Sequence, residues 1–388
     1  MLKFTWTRLT FPIVLLFIFF AFLYLFNSGN RFIYNKQGGL SHIDFEKAEI
    51  VRVVSESLEK DENIKGLYRG TQDLEVKILT GEHKGEVQII KNYSSDLFNV
   101  HGKAGMKIIV SIDTAEPGIY RISVYNYHRT PFIYFIIFLF LFSLWVVGGK
   151  KGLKSIIGLT FTFISIIFLF IPMLFKGYSP VFASVLIVIL TTIVTVFCIN
   201  GWSVKSFSAI LGTSLGVIIA GSISSIFGIL THISGFSTEE AETLIVIASY
   251  TNMKVSDLLF AGILISSLGA VMDVAISIAA SIHEVYMANP NLTKKDLFSS
   301  GMNVGRDMMG TMANTLILAF TGTSINSLIL LYSYNVKYNQ LMNMNLLGIE
   351  IIQGMSGSIG IILTVPIISF ISSRLFPVIL KNESKTSN

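Results

Sequence analysis

The chain has 388 residues, of which 52% are hydrophobic and only 14% are charged, and its mean hydropathy is +0.66. An ordinary soluble domain carries about 25% charged residues, so this composition excludes a wholly soluble protein. The single cysteine, Cys198, excludes a disulfide framework and a thiolate metal cluster. The net charge of +5 comes from basic residues that flank apolar segments, so we expect no nucleic-acid partner. The six histidines show no metal-binding spacing, and we expect no cofactor.

The first apolar segment runs from Leu9 to Phe26 and follows the basic residues Lys3 and Arg8. A secretory signal peptide has a similar basic start, but its apolar core is shorter and a small-residue cleavage pattern follows it. This segment has neither feature. We therefore expect residues 1–27 to form a cytoplasmic N-terminus and an uncleaved transmembrane anchor.

Residues 28–130 have the composition of a water-soluble domain, with fourteen Lys and Arg against fourteen Asp and Glu. Alternating or β-branched stretches with turn residues between them predict about five strands in this domain. Five strands of this size hide their edges best by curling, so we expect a small barrel of the OB or SH3 type. The predicted strands are Glu49–Ser55, Asp73–Leu79, Glu86–Tyr93, Lys107–Ile112 and Tyr120–Tyr127.

From residue 131 the chain returns to apolar segments of about 18 residues or more, each long enough to cross about 30 Å of hydrocarbon. Together with the anchor they predict an α-helical polytopic membrane protein of about eight spans. Residues 131–375 would form a seven-helix membrane domain, and residues 376–388 a cytoplasmic tail. The seven further spans are predicted at 131–148, 155–175, 180–199, 206–230, 257–283, 308–333 and 347–374.

Basic residues are distributed unevenly around these spans. With the N-terminus in the cytoplasm, the inner loops and tails carry twelve Lys and Arg residues. The outer loops, apart from the inserted domain, carry only three: Lys176, Lys254 and Lys337. Positive residues concentrate on the cytoplasmic side of membrane proteins, so we expect both termini in the cytoplasm and residues 28–130 on the other side.

The last three predicted spans are rich in small residues and contain ionisable ones, unlike the earlier Phe-, Ile- and Leu-rich spans. In span six, Asp273 and Ser277 share one helical stripe with Ser266, Ser281 and Glu284. A serine hydroxyl often bonds to a carbonyl of its own helix, which accounts for Ser277 without a function. An aspartate at the centre of a span costs at least about 2.5 kcal/mol, so Asp273 should face protein or water.

Span seven places Asp307, Thr311 and Asn314 on one face, with Arg306 beside them. Arg306 fits the cytoplasmic headgroups as well as it fits pairing with an acidic neighbour, and Asp307 could serve only the helix dipole. Span eight adds Glu350 about one turn from the outer end, where water can reach it. The residues that we expect to bind a substrate or ion are therefore Asp273, Ser277, Arg306, Asp307, Thr311, Asn314 and Glu350.

Two motifs in these spans, Met272–Ala280 and Gly305–Ala319, carry a family resemblance. They resemble the YibE/F-like family of bacterial multi-pass membrane proteins over about residues 130–375, and the outer domain resembles the extra N-terminal part of longer members. The resemblance implies a bacterial plasma-membrane protein but no established reaction. It also implies that a sister chain can occur, so besides the lipid bilayer the expected partner is a sister YibE/F-like chain or a second copy.

Three functions remain open at this point. The first is a secondary transporter or ion-coupled permease of unknown substrate, with a polar site between spans six, seven and eight and with Asp273 binding a cation or a proton. The alternative is a non-transporting membrane scaffold or envelope-assembly factor whose outer β domain binds a partner. An intramembrane enzyme is the least supported, because the sequence has no His-Glu-x-x-His motif and no phosphate-binding glycine-rich loop followed by lysine. The sequence therefore favours a transporter that is not an enzyme.

Overall fold

The computed structural model describes residues 19–28, 42–62, 64–96, 98–116 and 119–386. They fall into two compact units, one within Ile33–Ser143 and the other within Met1–Phe32 and Leu144–Asn388. Residues 1–18, which hold most of the predicted anchor, lie outside the described residues. The end of that segment, residues 19–27, is helical and is named α1.

The first unit contains a five-stranded antiparallel sheet with strand order β3-β2-β1-β4-β5. The five predicted strands are therefore confirmed, although β1 is much longer than expected. Its pairing with β2 is interrupted by two register shifts, between Ile50 and Arg52 and between Val53 and Ser55, which bend the strand. The strands are β1 (Ile43–Lys60), β2 (Tyr68–Ile78), β3 (Val87–Ser94), β4 (Lys107–Glu116) and β5 (Ile119–Tyr127).

The sheet curls into a half-barrel, so the prediction of a barrel closed by strand pairing is not fulfilled. Among the described residues no backbone ladder joins β3 to β5. Side chains connect these two edges instead, because the Tyr120 hydroxyl donates to Glu86 and the His83 ring stacks on Tyr120 with 4.0 Å between centroids. The Tyr120 and His83 hydrogen bonds lower the pKa of Glu86, since both favour its charged form.

A buried polar network holds residues 98–106 against the inner side of the sheet. The Gln72 side chain donates to the Gly102 carbonyl at 3.1 Å and accepts from the Gly102 amide at 2.9 Å. Asn92 donates to Gln72 at 3.1 Å and to the Val100 carbonyl at 2.6 Å. Because Gln72 is fully buried, these bonds satisfy groups that water cannot reach.

The second unit is helical apart from its connecting segments, and its first long helix begins in the first unit. That helix, α2 (Thr130–Ser165), is interrupted at Gly149, whose φ of 53° and ψ of −131° are not helical. A π-helical turn, Ile166–Phe170, and a 3₁₀ turn, Gly235–Ser237, interrupt the chain further on. The remaining helices are α3 (Ile171–Phe175), α4 (Pro180–Asn200), α5 (Val204–Thr231), α6 (Ala241–Ser249), α7 (Leu258–Ala288), α8 (Lys294–Thr323), α9 (Ile325–Ser333), α10 (Tyr338–Leu341) and α11 (Asn345–Thr386).

In the part of the chain that the structure describes, five helical segments are long and apolar enough to cross a membrane, or six if α8 and α9 together form one span. One of the five is Thr130–Phe175, and its break at Gly149 falls just after the predicted span 131–148. The predicted span 308–333 is not one straight helix, because α9 turns from α8 by 62°. A total of eight spans stays a prediction.

The helix α7 lies at the centre of the helical unit. Its buried side chains, such as Val271, Ile278 and Ile282, belong to a core shared with α4, α5, α8 and α11. The end of α1 packs on a different part of the unit, with Phe19 against Phe161 at 4.7 Å between ring centroids. This arrangement leaves one side of α7 and α8 without a neighbouring helix among the described residues.

Replacing Gln72 by Ala tests the buried network of the sheet domain. The substitution leaves the Gly102 amide and the Asn92 side chain without their Gln72 partner, at about 1–3 kcal/mol for each buried group. We expect this loss in the free energy of unfolding of the domain, measured by pulse proteolysis of the full-length protein in urea. Lys91→Ala, on the exposed side of β3, is the control and should change it by less than about 0.5 kcal/mol. Equal effects of the two substitutions would contradict a structural role for the network.

Candidate functional site

The two sides of α7 differ in chemistry as well as in burial. Val271, Val274 and Ile278 are completely buried on one side. The opposite side is exposed, and its residues follow each other at intervals of four, three and four, which places them in one stripe. These exposed residues are all small or polar: Gly262, Ser266, Gly269 and Asp273.

The neighbouring helix α8 has the same division. Its buried positions Gly301 and Gly305 face the core of the unit. Its exposed positions include five of polar or small character within three turns, and four of them were predicted from the sequence as site residues. The five are Arg306, Asp307, Gly310, Thr311 and Asn314.

Close glycine packing fixes the register of the two helices. A methyl group at Gly301 would lie 2.5 Å from Ile282 Cδ1, and one at Gly305 would lie 3.0 Å from Ile278 Cδ1. Since the helices run antiparallel, Asp273 is level with position 310 of α8, and Asp307 is about one turn away. The polar residues of the two exposed stripes therefore lie at similar depths.

The charged groups of these stripes have few partners within one chain. Among the described residues no ion pair involves Asp273, Arg306 or Asp307. Arg306 Nη1 donates to Asn303 Oδ1 of its own helix at 3.2 Å. The Ser281 hydroxyl donates to the backbone carbonyl of the half-buried Ser277 at 2.9 Å, which is the packing role of a serine within its own helix, and the role of the Ser277 hydroxyl stays a prediction.

Glu350 lies in a different place, at the bend between α8 and α9. It lines a cavity of about 140 Å³ between these two helices and α11. One carboxylate oxygen, Oε2, is buried and has no hydrogen-bond partner. The other polar side chains that line the cavity are hydroxyls, and they come from Thr321, Ser324 and Ser327.

The seven predicted site residues therefore do not surround one cavity within a single chain. The Ser358 hydroxyl donates to the Ala313 carbonyl at 3.4 Å, and counting back along α11 places Glu350 level with Thr321. That level is about eleven residues, or roughly 16 Å, along α8 from the level of Asp273. None of the other six predicted residues lines the Glu350 cavity.

Sequence reasoning missed Ser324 and Ser327, which line the cavity at the bend. The signal that could have found them is the run Thr321-Gly322-Thr323-Ser324 in the middle of a predicted span. Such a cluster of Gly, Ser and Thr favours a break in a helix. The apolar residues around it made the segment look like one continuous span.

These features define a multi-pass membrane protein with an inserted half-barrel domain and with polar groups concentrated on its last helices. A family model described as "YibE/F-like protein" matches residues 136–378, and one described as "YibE/F family N-terminal domain" matches residues 43–127. The chain belongs to the YibE/F-like family, which confirms the resemblance found in the sequence. No curated protein and no solved structure matches the chain.

Replacing a glycine of α8 by leucine tests the packing that positions the site. At Gly305 even a methyl group would lie 2.2 Å from Val365 Cγ1, so Leu should overpack the core and destabilise the protein by about 1–3 kcal/mol or more. At Gly322 a methyl group meets nothing within 4 Å, so Gly322→Leu is the matched control. We expect a lower midpoint of thermal unfolding in detergent for Gly305→Leu alone. Equal unfolding midpoints for the two variants would contradict the close packing of Gly305 against α7 and α11.

Proposed function

We propose that this chain is a secondary transporter or ion-coupled permease of unknown substrate, and that the Glu350 cavity binds the coupling cation or proton. The observation that carries this proposal is the buried, unpartnered carboxylate oxygen of Glu350 beside the bend of the α8–α9 pair. Ion-coupled transporters commonly place their cation sites where a membrane helix is broken. The bend at Ser324 provides such a break.

The physical reason is that a carboxylate inside a membrane protein is costly unless something neutralises it. A bound cation or proton removes this cost at Glu350. The hydroxyls of Thr321, Ser324 and Ser327 add neutral oxygen ligands. The C-terminal end of α8 carries a partial negative charge and ends beside the cavity, which also favours a cation.

The small size of the cavity supports a role in coupling over the binding of a large substrate. With a volume of about 140 Å³, it accommodates an ion with its waters. The substrate would use the exposed polar stripes, where Asp273 carries charge and Arg306 attracts an anionic group. Ser277, Thr311 and Asn314 would supply neutral contacts there.

The proposal includes a location and an orientation. We place the chain in a bacterial plasma membrane, with about eight spans, both termini in the cytoplasm and residues 28–130 on the outer side. The support is the excess of twelve Lys and Arg over three on the proposed inner side. In this orientation Glu350 lies near the outer end of its span, and Asp273 lies near the middle of the bilayer.

Replacing Glu350 by Gln tests the transport proposal. The amide keeps the size of the side chain but cannot neutralise a cation or carry a proton, so we expect cation-driven flux to fall to the rate of protein-free vesicles. The measurement is internal pH in reconstituted vesicles, recorded with a trapped dye under imposed H⁺, Na⁺ and K⁺ gradients. Glu242→Gln, at an exposed position of α6, is the control and should keep the wild-type rate. Unchanged flux in Glu350→Gln would contradict the proposed role of the cavity.

A second candidate function is the non-transporting scaffold or envelope-assembly factor. The observation that favours it is a set of exposed apolar side chains on β3, where Tyr93 is 66% and Ile89 is 59% exposed. Exposed apolar groups of this kind often mark a surface that binds another protein. Absence of flux under every gradient, in wild type as well as in the variants, would favour this function over transport.

A further inference from the structure

Over their middle turns, the exposed sides of α7 and α8 lack the chemistry of a surface that faces lipid, whereas Leu318 further along α8 is apolar and 59% exposed. On α2 the exposed residues are large and apolar, and Phe132, Phe135 and Val147 are 77%, 62% and 89% exposed. The exposed stripe of α7 instead consists of glycine, serine and aspartate, and that of α8 includes arginine, aspartate and asparagine. We name these two stripes together the α7–α8 open face, defined by Gly262, Gly269, Asp273, Arg306, Asp307 and Gly310.

Asp273 of the open face lies too deep to reach the headgroups. Asp273 is fifteen residues from either end of α7, and the register places Arg306 and Asp307 within about 6 Å of its level. Each such charge costs about 2.5–3.5 kcal/mol when it faces hydrocarbon. The open face is therefore covered by protein or water when the helices cross a membrane.

The chain's own first helix does not cover the open face. Phe19 of α1 packs against Phe161, and Asn27 donates to the Phe168 carbonyl at 2.9 Å. Lys176 donates to the Phe26 carbonyl at 2.7 Å. These contacts hold α1 beside the π-helical turn and α3, so residues 19–27 do not supply the cover.

We propose that a second copy of this chain covers the open face, and that the two copies together enclose one polar site around Asp273. The face carries both signs of charge, so two copies related by a two-fold axis along the membrane normal are complementary to each other. Arg306 of each copy then neutralises Asp273 or Asp307 of the other. The site is incomplete in one copy, because Asp273 has no ion-pair partner among the described residues.

The shape of the open face fits close helix packing. Gly262, Gly269 and Gly310 each have open space where a side chain would stand, and such small residues let membrane helices approach closely. The helices are 31 and 30 residues long, or about 45 Å, and two of them are about 20 Å wide. The open face itself, from the level of Gly262 to that of Arg306, is about 22 Å long, so it supplies about 450 Å² per copy, and the flanking turns of both helices would supply the rest of an interface of ~800 Å² per partner.

Subunit counting tests the proposal on the full-length protein. One fluorophore on the C-terminal tail, in vesicles diluted to one protein particle each, should bleach in two steps for wild type. Gly310→Trp introduces a side chain that is too large for the interface, so this variant should bleach in one step. Bleaching of wild type in a single step would overturn the proposal, even if a sister chain binds this face in cells.

A matched control position exists on α5. Gly221 packs against Leu264 and Gly216 against Val271, so the antiparallel register places Ile218 near the depth of Gly269. Ile218 is apolar and 37% exposed. Ile218→Trp should therefore keep the two bleaching steps, and one step for this variant as well would contradict a specific interface.

Disulfide cross-linking gives an independent result if the tryptophan variant fails to fold. In a Cys198→Ser background, the single substitutions Gly262→Cys, Gly269→Cys and Gly310→Cys should yield disulfide-linked dimers in the membrane, and Ile218→Cys should not. Absence of the dimer at all three positions would overturn the proposal. Reaction of these cysteines with a membrane-impermeant thiol reagent, without cross-linking, would show that water covers the face.

The inference does not depend on the Glu350 cavity. Two bleaching steps with unchanged flux in Glu350→Gln would support the second copy and contradict the proposed coupling site. One bleaching step with loss of flux in Glu350→Gln would contradict the second copy and support the proposed coupling site. The two experiments can therefore fail separately.

Discussion

The constraint on which the helical unit depends is that a charged or polar group in hydrocarbon must be satisfied by protein or water. Most of the unit obeys it by placing serine and threonine hydroxyls against carbonyls of their own helices, as in the bond from Thr191 to the Ile187 carbonyl. Some buried hydroxyls, such as those of Thr192, Ser208 and Thr213, have no hydrogen-bond partner among the described residues. Two places carry charged groups without a neutralising partner among the described residues, and a charge costs more than a hydroxyl. They are the buried oxygen of Glu350 and the exposed charges of the α7–α8 open face, and both proposals come from what would satisfy them.

The two places are joined through α8, which lines the cavity with its last turns and carries the open face near its middle. The bend at Ser324 separates this helix from α9 and leaves the C-terminal end of α8 at the cavity. Glycines at 301 and 305 press α8 tightly against α7 and α11. A cation that binds at Glu350 would therefore act on the end of a helix whose other part carries Asp307 and Asn314, which offers a physical route for coupling between the two sites.

The sequence predicted the membrane class, the family and the positions of five strands, because apolar length and alternation depend on local composition. It also predicted the polar stripes, since Asp273 and Asp307 stand out in apolar helices. It did not predict the bend at Ser324, because the apolar residues around the bend hid the helix break. It also did not predict that β3 and β5 remain unpaired, since these edges are connected by contacts between residues distant in sequence, such as Tyr120 and Glu86. The sequence also grouped Glu350 with Asp273 in one site. Helical periodicity indicates which face of a helix a residue occupies, but it does not indicate which cavity that residue lines.

The measurement that tests the central claim most directly is thermal unfolding of the purified protein across a panel of cations at several pH values. A ligand that binds only the folded state raises the unfolding midpoint as its concentration rises. The account predicts that one cation, or protonation, stabilises the wild type and that this stabilisation is lost in Glu350→Gln and kept in Glu242→Gln. The same cation-dependent shift in Glu350→Gln, or no shift for any cation or pH in the wild type, would contradict a coupling site in the Glu350 cavity.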